Sequence, residues 1–387
     1  MYNKRVVFWS SCLGMLLFGI ALITLGSVVP DLKMKLRLDE ISSGTLFSIL
    51  PFGVLAGSMI FGPVVDKYSY RILLAVSCFI MSAGFLGTGF AQVQWLLRIY
   101  TFLIGFGGGA VNGATNALVS DISDKDKGAN LSLLGVFFGI GALGMPLILG
   151  ILRDTVSFET ILTVVSILTF AAGLLFILIK FPPPKQPHGF PVARSLGMLK
   201  DKILILLAFF LFIQSSFEGI FNNWTTTYLI EHLSIAQSKA LFALSSFVAG
   251  MAVMRLIIGS FLRSLSEKKL LMASFILLLA GLIFLKTGNT AMMAMTGLIL
   301  SGAGLAAGFP VMLGLIGSRY AELSGTAFSI ALFIALIGNM SVNYCMGIIA
   351  RNFGIRHLIT VAFAELLVMV LLYILIFRKN NKRKINT

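Results

Sequence analysis

Polar and aromatic side chains are concentrated in one stretch of an otherwise apolar chain, from Ile213 to Leu229. At about 100° per residue, as in an α-helix, the polar groups share one face and the aromatic rings form a stripe beside it. The polar face consists of Gln214, Glu218, Asn222 and Thr225, and the stripe of Phe217, Phe221, Trp224 and Tyr228. Amide and carboxyl groups hydrogen-bond hydroxyls, and rings pack on C–H faces, so the pattern favours a neutral polyhydroxylated ligand.

Three consecutive residues of this stretch, Asn222, Asn223 and Trp224, are the first candidates for ligand contact. Amides also hold membrane helices to one another, so the alternative is a helix that packs through these side chains. The polar groups are denser than helix packing needs. This density favours the ligand-binding interpretation.

Glu218 lies near the middle of the same stretch and is the candidate for coupling to an ion. A carboxylate inside a bilayer is costly unless it faces a wet cavity or a partner, and such a group can take up and release a proton. A structural hydrogen bond and direct binding of ligand hydroxyls are the alternatives. Glu365, in the last apolar stretch, is expected to be structural.

Two further pairs of asparagines have helical spacing. Asn112 and Asn116 share a face and are candidates for ligand binding, as are Asn339 and Asn343. Two arginines also lie in or near apolar stretches. Arg255 is interpreted as a partner for a carboxylate such as Glu218 or as a clamp for an anionic ligand, and Arg98 as an anchor at a helix end or a second anion partner.

The composition identifies the elements that must position these residues. The 387-residue chain is 58% hydrophobic and only 12% charged, with a mean hydropathy of +0.97, values typical of a polytopic membrane protein. Apolar runs of about 20 or more residues predict helical spans rather than a β-barrel. The twelve predicted spans are 6–29, 42–65, 72–91, 95–119, 128–151, 159–180, 203–230, 238–262, 269–286, 291–317, 324–350 and 356–377.

The basic residues orient these spans. With both termini in the cytoplasm, 20 Lys and Arg residues lie inside and 8 outside, as the positive-inside rule requires. The same rule explains the net charge of +15 without a nucleic-acid partner. The three cysteines lie in apolar runs without metal-ligand spacing, and no nucleophile is paired with a base, so we expect neither a metal, a cofactor nor an enzyme.

The chain is internally repeated. A proline-rich stretch at 181–202 separates residues 1–180 from 203–387, and each part contains six spans. A gap-free shift of 197 residues superimposes seven glycines of the first half on seven of the second, among them Gly105 on Gly302 and Gly107 on Gly304. The sequence therefore predicts an all-α membrane protein of two pseudo-symmetric six-helix bundles joined by a cytoplasmic linker.

A motif after the second span adds a family resemblance. Gly62, Asp66, Lys67 and Arg71 resemble the cytoplasmic loop signature of the major facilitator superfamily, and twelve spans in two halves fit its fold. The resemblance implies that these four residues form a conformational gate and that a ligand binds at the midplane between the halves. Ser69 stands where a second glycine is usual, which predicts a less sharp turn.

The fifth span most resembles the sugar symporters related to fucose permease. It has a glycine, glycine, proline and glycine spacing that ends at Pro146 and Gly150, and the order Glu218, Trp224 and Tyr228 adds a further likeness. The resemblance implies a secondary active transporter that moves a small polar solute, a sugar, by alternating access with H⁺ coupling; Na⁺ is the other ion considered. An organic-anion transporter and a drug or metabolite exporter are the alternatives. We expect a lipid-embedded monomer in a bacterial cytoplasmic (inner) membrane.

Overall fold

The computed structural model describes residues 2–123, 127–183, 200–260, 265–320 and 324–384. These residues form helices, and none of them lies in a β-strand. The helices are α1 (Lys4–Leu36), α2 (Glu40–Phe90), α3 (Gln94–Ile122), α4 (Lys127–Leu152), α5 (Phe158–Leu178), α6 (Lys202–Glu231), α7 (Gln237–Ser260), α8 (Glu267–Thr287), α9 (Ala291–Leu305), α10 (Gly308–Arg319), α11 (Ser324–Phe353) and α12 (Leu358–Lys384), with a 3₁₀ turn at Ile355–His357.

Twelve segments of the described helices are long and apolar enough to cross a membrane. Helix α2 supplies two of them, Glu40–Phe61 and Ser69–Phe90, and α9 and α10 together form the tenth. The all-α fold and the number of spans predicted from hydropathy are thus confirmed. The first helix is longer than predicted: it continues past Pro30 to Leu36 instead of ending near residue 29.

The chain divides into two compact units, Met1–Phe190 and Pro191–Thr387. Most of the predicted linker, residues 184–199, lies outside the described residues, so the domain limits of 1–180, 181–202 and 203–387 remain predictions. Inside each unit, the helices that carry the repeated glycines make the same contacts. In the first unit α2 packs mainly on α3, and in the second α9 packs on α7 and α8.

The repeat extends to the atoms that the glycines approach. A Cβ on Gly105 would lie 2.2 Å from the Leu50 carbonyl oxygen, and one on Gly302 would lie 2.0 Å from that of Phe247. The two carbonyls are also 197 residues apart. In the same way Gly107 approaches the backbone of Ser77, and Gly304 that of Ser274. These helices cross too closely for any side chain, so glycine is kept in both halves.

The turn between the second and third spans is built on a strained residue. Ser69 has φ 81° and ψ 158°, a conformation that is essentially restricted to glycine. The less sharp turn predicted from Ser69 stays a prediction. The serine adopts the backbone geometry of the glycine it replaces, next to the fully buried Tyr70, whose hydroxyl donates to Oδ2 of Asp121 at 3.1 Å.

The tenth span is interrupted, whereas the sequence predicted one continuous helix over 291–317. Helix α9 ends at Leu305, Ala306 and Ala307 form a turn, and α10 begins at Gly308. Glycine favours helix ends and Pro310 has no amide hydrogen to donate, so this stretch holds its backbone ladder weakly. The two ends of the break are buried inside the second unit.

Candidate functional site

The polar and aromatic stretch forms the middle and end of α6. This helix begins after Asp201, whose carboxylate accepts from the amides of Ile203 at 2.8 Å and Leu204 at 3.4 Å. Burial acts to raise the pKa of Asp201, but the Tyr320 hydroxyl, the two capping amides and the Arg319 charge together lower it below its usual value. The cap is therefore ionised at neutral pH and fixes the start of the helix that carries the candidate residues.

One face of α6 is bonded to α11 by a chain of amides. Asn339 donates to the Ser215 carbonyl at 3.0 Å, Asn343 donates to Oδ1 of Asn339 at 3.0 Å, and Asn223 donates to Oδ1 of Asn343 at 3.1 Å. Gly219 lies between these contacts, and a Cβ there would come within 2.5 Å of the Asn339 amide nitrogen. Three predicted ligand-binding residues, Asn223, Asn339 and Asn343, thus hold two helices together in this structure.

The neighbouring face of α6 carries an ion pair that is partly open to solvent. Nη2 of Arg255, on α7, lies 3.9 Å from Oε2 of Glu218, and the two side chains are 37% and 22% exposed. Of the two roles considered for Arg255, the structure shows the carboxylate partner. One turn further along, Asn222 is half-buried, and its Oδ1 is enclosed without a hydrogen-bond partner among the described residues. This face retains polar groups that packing has not satisfied.

Gln214 lies on the same side of α6 but is fully buried. Its Nε2 donates at 2.8 Å to the Leu305 carbonyl, which is left at the end of α9 by the break in the tenth span. Its Oε1 lies against Gly308, where a Cβ would come within 2.2 Å. Gln214 therefore braces the junction of α9 and α10, a role that the sequence did not indicate.

The aromatic stripe is part of the interior of the second unit. Trp224 is fully buried and Tyr228 is 3% exposed, with its hydroxyl donating to the Leu285 carbonyl on α8 at 3.1 Å. Phe221 packs on Phe217 and on Phe247 of α7, with ring centroids 4.9 and 5.5 Å apart. The stripe attaches α6 to α7 and α8, and a contact between Trp224 or Tyr228 and a solute remains a prediction.

The candidates of the first unit are less concentrated. Asn116 donates to Oδ1 and to the carbonyl of Asn112, both at 2.9 Å, and approaches the Met15 sulfur of α1 at 4.0 Å. Asn116 is exposed and Asn112 half-buried. Arg98 is exposed near the other end of α3, about 20 Å along the helix from Asn112. The asparagines are therefore a local pair, and Arg98 is remote from them.

Three residues of the predicted gate, Gly62, Asp66 and Lys67, lie outside the part of the structure that is described in full atomic detail. Arg71 is exposed, directly after the strained Ser69 and the buried Tyr70. A gating role for the four residues stays a prediction.

Ion pairs at one end of the first unit are absent from the sequence predictions. Arg153 lies 2.6 Å from Asp31, which is 7% exposed, and Lys35 lies 3.0 Å from Glu159 and donates to the Gly89 carbonyl at 2.7 Å. The partners are more than fifty residues apart in sequence. The only sequence signal for these ion pairs is that their members lie at the ends of spans. The described residues contain no group of three His, Cys, Asp or Glu side chains that could hold a metal ion.

Comparison with known proteins identifies the family. The sequence model of the Major Facilitator Superfamily matches residues 11–242 and 207–387. The glucose/mannose transporter GlcP of Bacillus subtilis is 26% identical over 345 residues, covering 85% of this chain and 84% of GlcP.

Solved structures share the fold. A point mutant of the nucleoside transporter NupG has a TM-score of 0.81 at 17% identity, and the match covers 97% of this chain and 99% of the NupG chain. A D-xylose-proton symporter has a TM-score of 0.79 at 14% identity and covers 97% of both chains. The chain therefore belongs to the Major Facilitator Superfamily and is a multi-pass membrane transporter, not an enzyme.

Proposed function

We propose that this protein is a secondary active transporter that carries a sugar across the membrane by alternating access, in symport with H⁺. Family membership supports the transport class, and the glucose/mannose transporter, which is similar over most of both chains, supports a sugar as solute. The D-xylose-proton symporter indicates that this fold is compatible with proton-driven sugar transport. No other cofactor is required.

The observation that carries the proposal is the unsatisfied face of α6. Asn222 presents a carbonyl oxygen without a partner among the described residues, and Glu218 presents a partly exposed carboxylate. Both are hydrogen-bond acceptors, and Arg255 beside them offers several donors. A sugar hydroxyl is both donor and acceptor, so a polyhydroxylated solute satisfies all three side chains at once. A purely apolar solute would cover these side chains without hydrogen-bonding them, which is costly once water is excluded.

The ion pair suggests how a proton is coupled to transport. Protonation of Glu218 removes its negative charge and its attraction to Arg255, so the arginine is released to other acceptors. A solute that binds better to one of these two arrangements shifts the population between them, as coupling requires. Glu218 is accordingly our candidate for the coupling group, with Arg255 as its charge partner.

The remaining features of the proposal follow from topology. The excess of Lys and Arg on one side supports a cytoplasmic location for both termini, and the transporter is placed in a bacterial cytoplasmic membrane. It is expected to work as a monomer surrounded by lipid.

Uptake into proteoliposomes tests the proposal. Glucose, mannose and xylose are supplied with and without an imposed pH gradient to the natural protein, to Glu218→Gln and to Glu267→Gln, a control at an exposed carboxylate at the start of α8. We expect gradient-driven accumulation with the natural protein and with Glu267→Gln. With Glu218→Gln we expect loss of accumulation but continued exchange of labelled sugar.

Failure to transport any sugar under either condition would reject the proposed solute. An organic-anion panel then follows, because an anionic solute could replace the Glu218 carboxylate beside Arg255. Accumulation that is unchanged in Glu218→Gln would instead reject Glu218 as the coupling group while leaving the solute class intact.

A further inference from the structure

A second acid is buried in the second unit. Glu365 lies near the middle of the last span, Ile355–Arg378, and is 6% exposed. Its Oε1 contacts the hydroxyl of Ser216 on α6, and its Oε2 is buried without a hydrogen-bond partner among the described residues. This contact joins α12 to the helix that carries Glu218.

The hydroxyl of Ser216 has two acceptors but only one hydrogen. Its Oγ lies 2.9 Å from the Ile213 carbonyl oxygen, which has no proton to give, and it also contacts Oε1 of Glu365. If the hydroxyl donates to Ile213, the contact with Glu365 is attractive only when the carboxyl group supplies the hydrogen. A protonated Glu365 therefore satisfies both contacts, whereas an ionised one leaves one of them without a hydrogen.

No cation among the described residues compensates a charge at this position. Helix α12 packs on α6, α8, α11 and the 3₁₀ turn, and the charged groups of these elements lie elsewhere. Glu218 faces Arg255, Lys268 lies over the Phe377 ring and His357 lies against Phe353. The other described charged groups of these elements and of α12 itself are Lys202, Glu231, Glu267, Lys269, Lys286, Arg351, Arg356 and Arg378. No described Lys, Arg or His nitrogen is within 4 Å of the carboxylate of Glu365. An isolated carboxylate within a membrane span is strongly disfavoured, so the neutral form is the stable one.

The corresponding position of the first unit carries an apolar side chain, Leu168, which is 59% exposed and is therefore not a packing equivalent of the buried acid. At the 197-residue offset Glu365 corresponds to Leu168. Leu168 lines a cavity of about 310 Å³ between α1 and α5, together with other Leu, Ile, Val and Ala side chains. One half of the repeat thus has an apolar groove where the other has a serine and a buried acid.

We propose that Glu365 is a proton-binding site: its carboxyl group holds a proton at neutral pH and donates it to Ser216, which donates its own hydrogen to the Ile213 carbonyl. Release of the proton to water leaves a carboxylate, and the Ser216 hydrogen then turns from Ile213 towards Glu365. The hydrogen bonding of α6 changes two residues before Glu218. A role for this proton release in the transport cycle rests on the proposed function. The presence of the bound proton does not depend on that function.

Infrared difference spectroscopy of the full-length protein in lipid nanodiscs tests the proposal. At pH 7 the natural protein is expected to show a carboxylic acid C=O band that is missing in Glu365→Gln and retained in Glu218→Gln. If the difference between the natural protein and Glu365→Gln contains carboxylate bands only, Glu365 is ionised and the proposal is wrong.

A second variant keeps the test independent of how well Glu365→Gln folds. Ser216→Ala retains the acid but removes its acceptor, so the C=O band is expected to persist and to shift to higher frequency. A band at an unchanged frequency would show that Glu365 does not donate to Ser216. Both readouts apply whether or not the protein transports a sugar.

Discussion

The two polar faces of α6 differ in what satisfies their side chains. Towards α11, the amides of Asn223, Asn343 and Asn339 are bonded in a linear chain that ends at the Ser215 carbonyl. Towards Arg255, Glu218 keeps a partly exposed carboxylate, and Oδ1 of Asn222 is enclosed without a hydrogen-bond partner among the described residues. Residues of the same chemical type thus serve helix packing on one face and, in our proposal, solute binding on the other. The first three of the four variants below separate these two roles.

The largest effect is expected from Asn343→Leu. This change keeps the number and branching of the side-chain heavy atoms, but it replaces the amide by bulkier methyl groups and removes the partner of both Asn223 and Asn339 inside a packed interface. Each orphaned buried polar group costs about 1–3 kcal/mol, so we expect the free energy of unfolding to fall by at least ~2 kcal/mol. Thermal unfolding of the purified protein measures it, with Asn116→Leu as the control at an exposed asparagine. An unchanged unfolding temperature combined with lost uptake would move Asn343 to the solute-binding face.

Gly219→Ala tests the closeness of α6 and α11. The new Cβ would lie 2.5 Å from the Asn339 amide nitrogen, so Asn339 must leave the Ser215 carbonyl or the helices must separate. We expect a loss of about 1–3 kcal/mol, the usual cost of overpacking. Gly135→Ala on α4 is the matched control, because a Cβ there meets nothing within 4 Å and should stabilise the helix by up to ~1 kcal/mol. Equal effects of the two alanines would contradict the close contact.

Asn222→Ala should affect sugar uptake more than stability, the opposite of what we expect for Asn343→Leu. The side chain has no described protein partner for its Oδ1, so its loss is expected to change the free energy of unfolding by less than ~0.5 kcal/mol. Removal of one hydrogen bond to a solute, worth about 0.5–1.5 kcal/mol, should raise the KM for sugar uptake by roughly two- to tenfold. An unfolding temperature that falls while KM stays the same would assign Asn222 to packing.

The smallest effect is expected at the start of α6, which belongs to neither face. The Asp201→Asn side chain can still cap the helix, so only the charge is lost, worth about 0.3–1 kcal/mol at a helix N-terminus. The pKa of Asp201 is lower in the folded than in the unfolded protein. Its charge therefore stabilises the folded protein fully at pH values above the unfolded-state pKa. This stabilisation is lost as the pH falls through the pKa of Asp201 in the folded protein. The difference between the two proteins, followed by thermal unfolding, should therefore disappear in acid; a difference that grows in acid would contradict the lowered pKa.

Features that depend on average composition and on spacing were predictable from the sequence. The twelve spans follow from the length of the apolar runs, and the internal repeat follows from glycines such as Gly105 and Gly302, which no other residue can replace where helices touch. The division of the polar stretch was not predictable. Asn222 and Asn223 are adjacent in sequence and chemically identical, and only the position of α11 decides which of them is bonded.

The same limit applies to contacts between distant residues. The 37-residue separation of Glu218 and Arg255 allowed an ion pair but did not require one. The contact of Ser216 with Glu365 joins helices at opposite ends of the second unit's sequence, so local spacing contains no signal for it. The positive φ of Ser69 was not predictable from its residue type, because serine disfavours this conformation.

The turn at Ala306 and Ala307 divides the tenth span into two short helices, α9 and α10, instead of one continuous helix. Tilting a continuous helix would break several backbone hydrogen bonds, but here the ladder is already open at the turn. Gln214 donates a hydrogen bond to the Leu305 carbonyl at this turn, so a side chain of α6 stabilises the junction of α9 and α10. Helix α9 packs mainly on α7 and α8 whereas α10 packs mainly on α6 and α11, so the turn lies where the tenth span changes its neighbours.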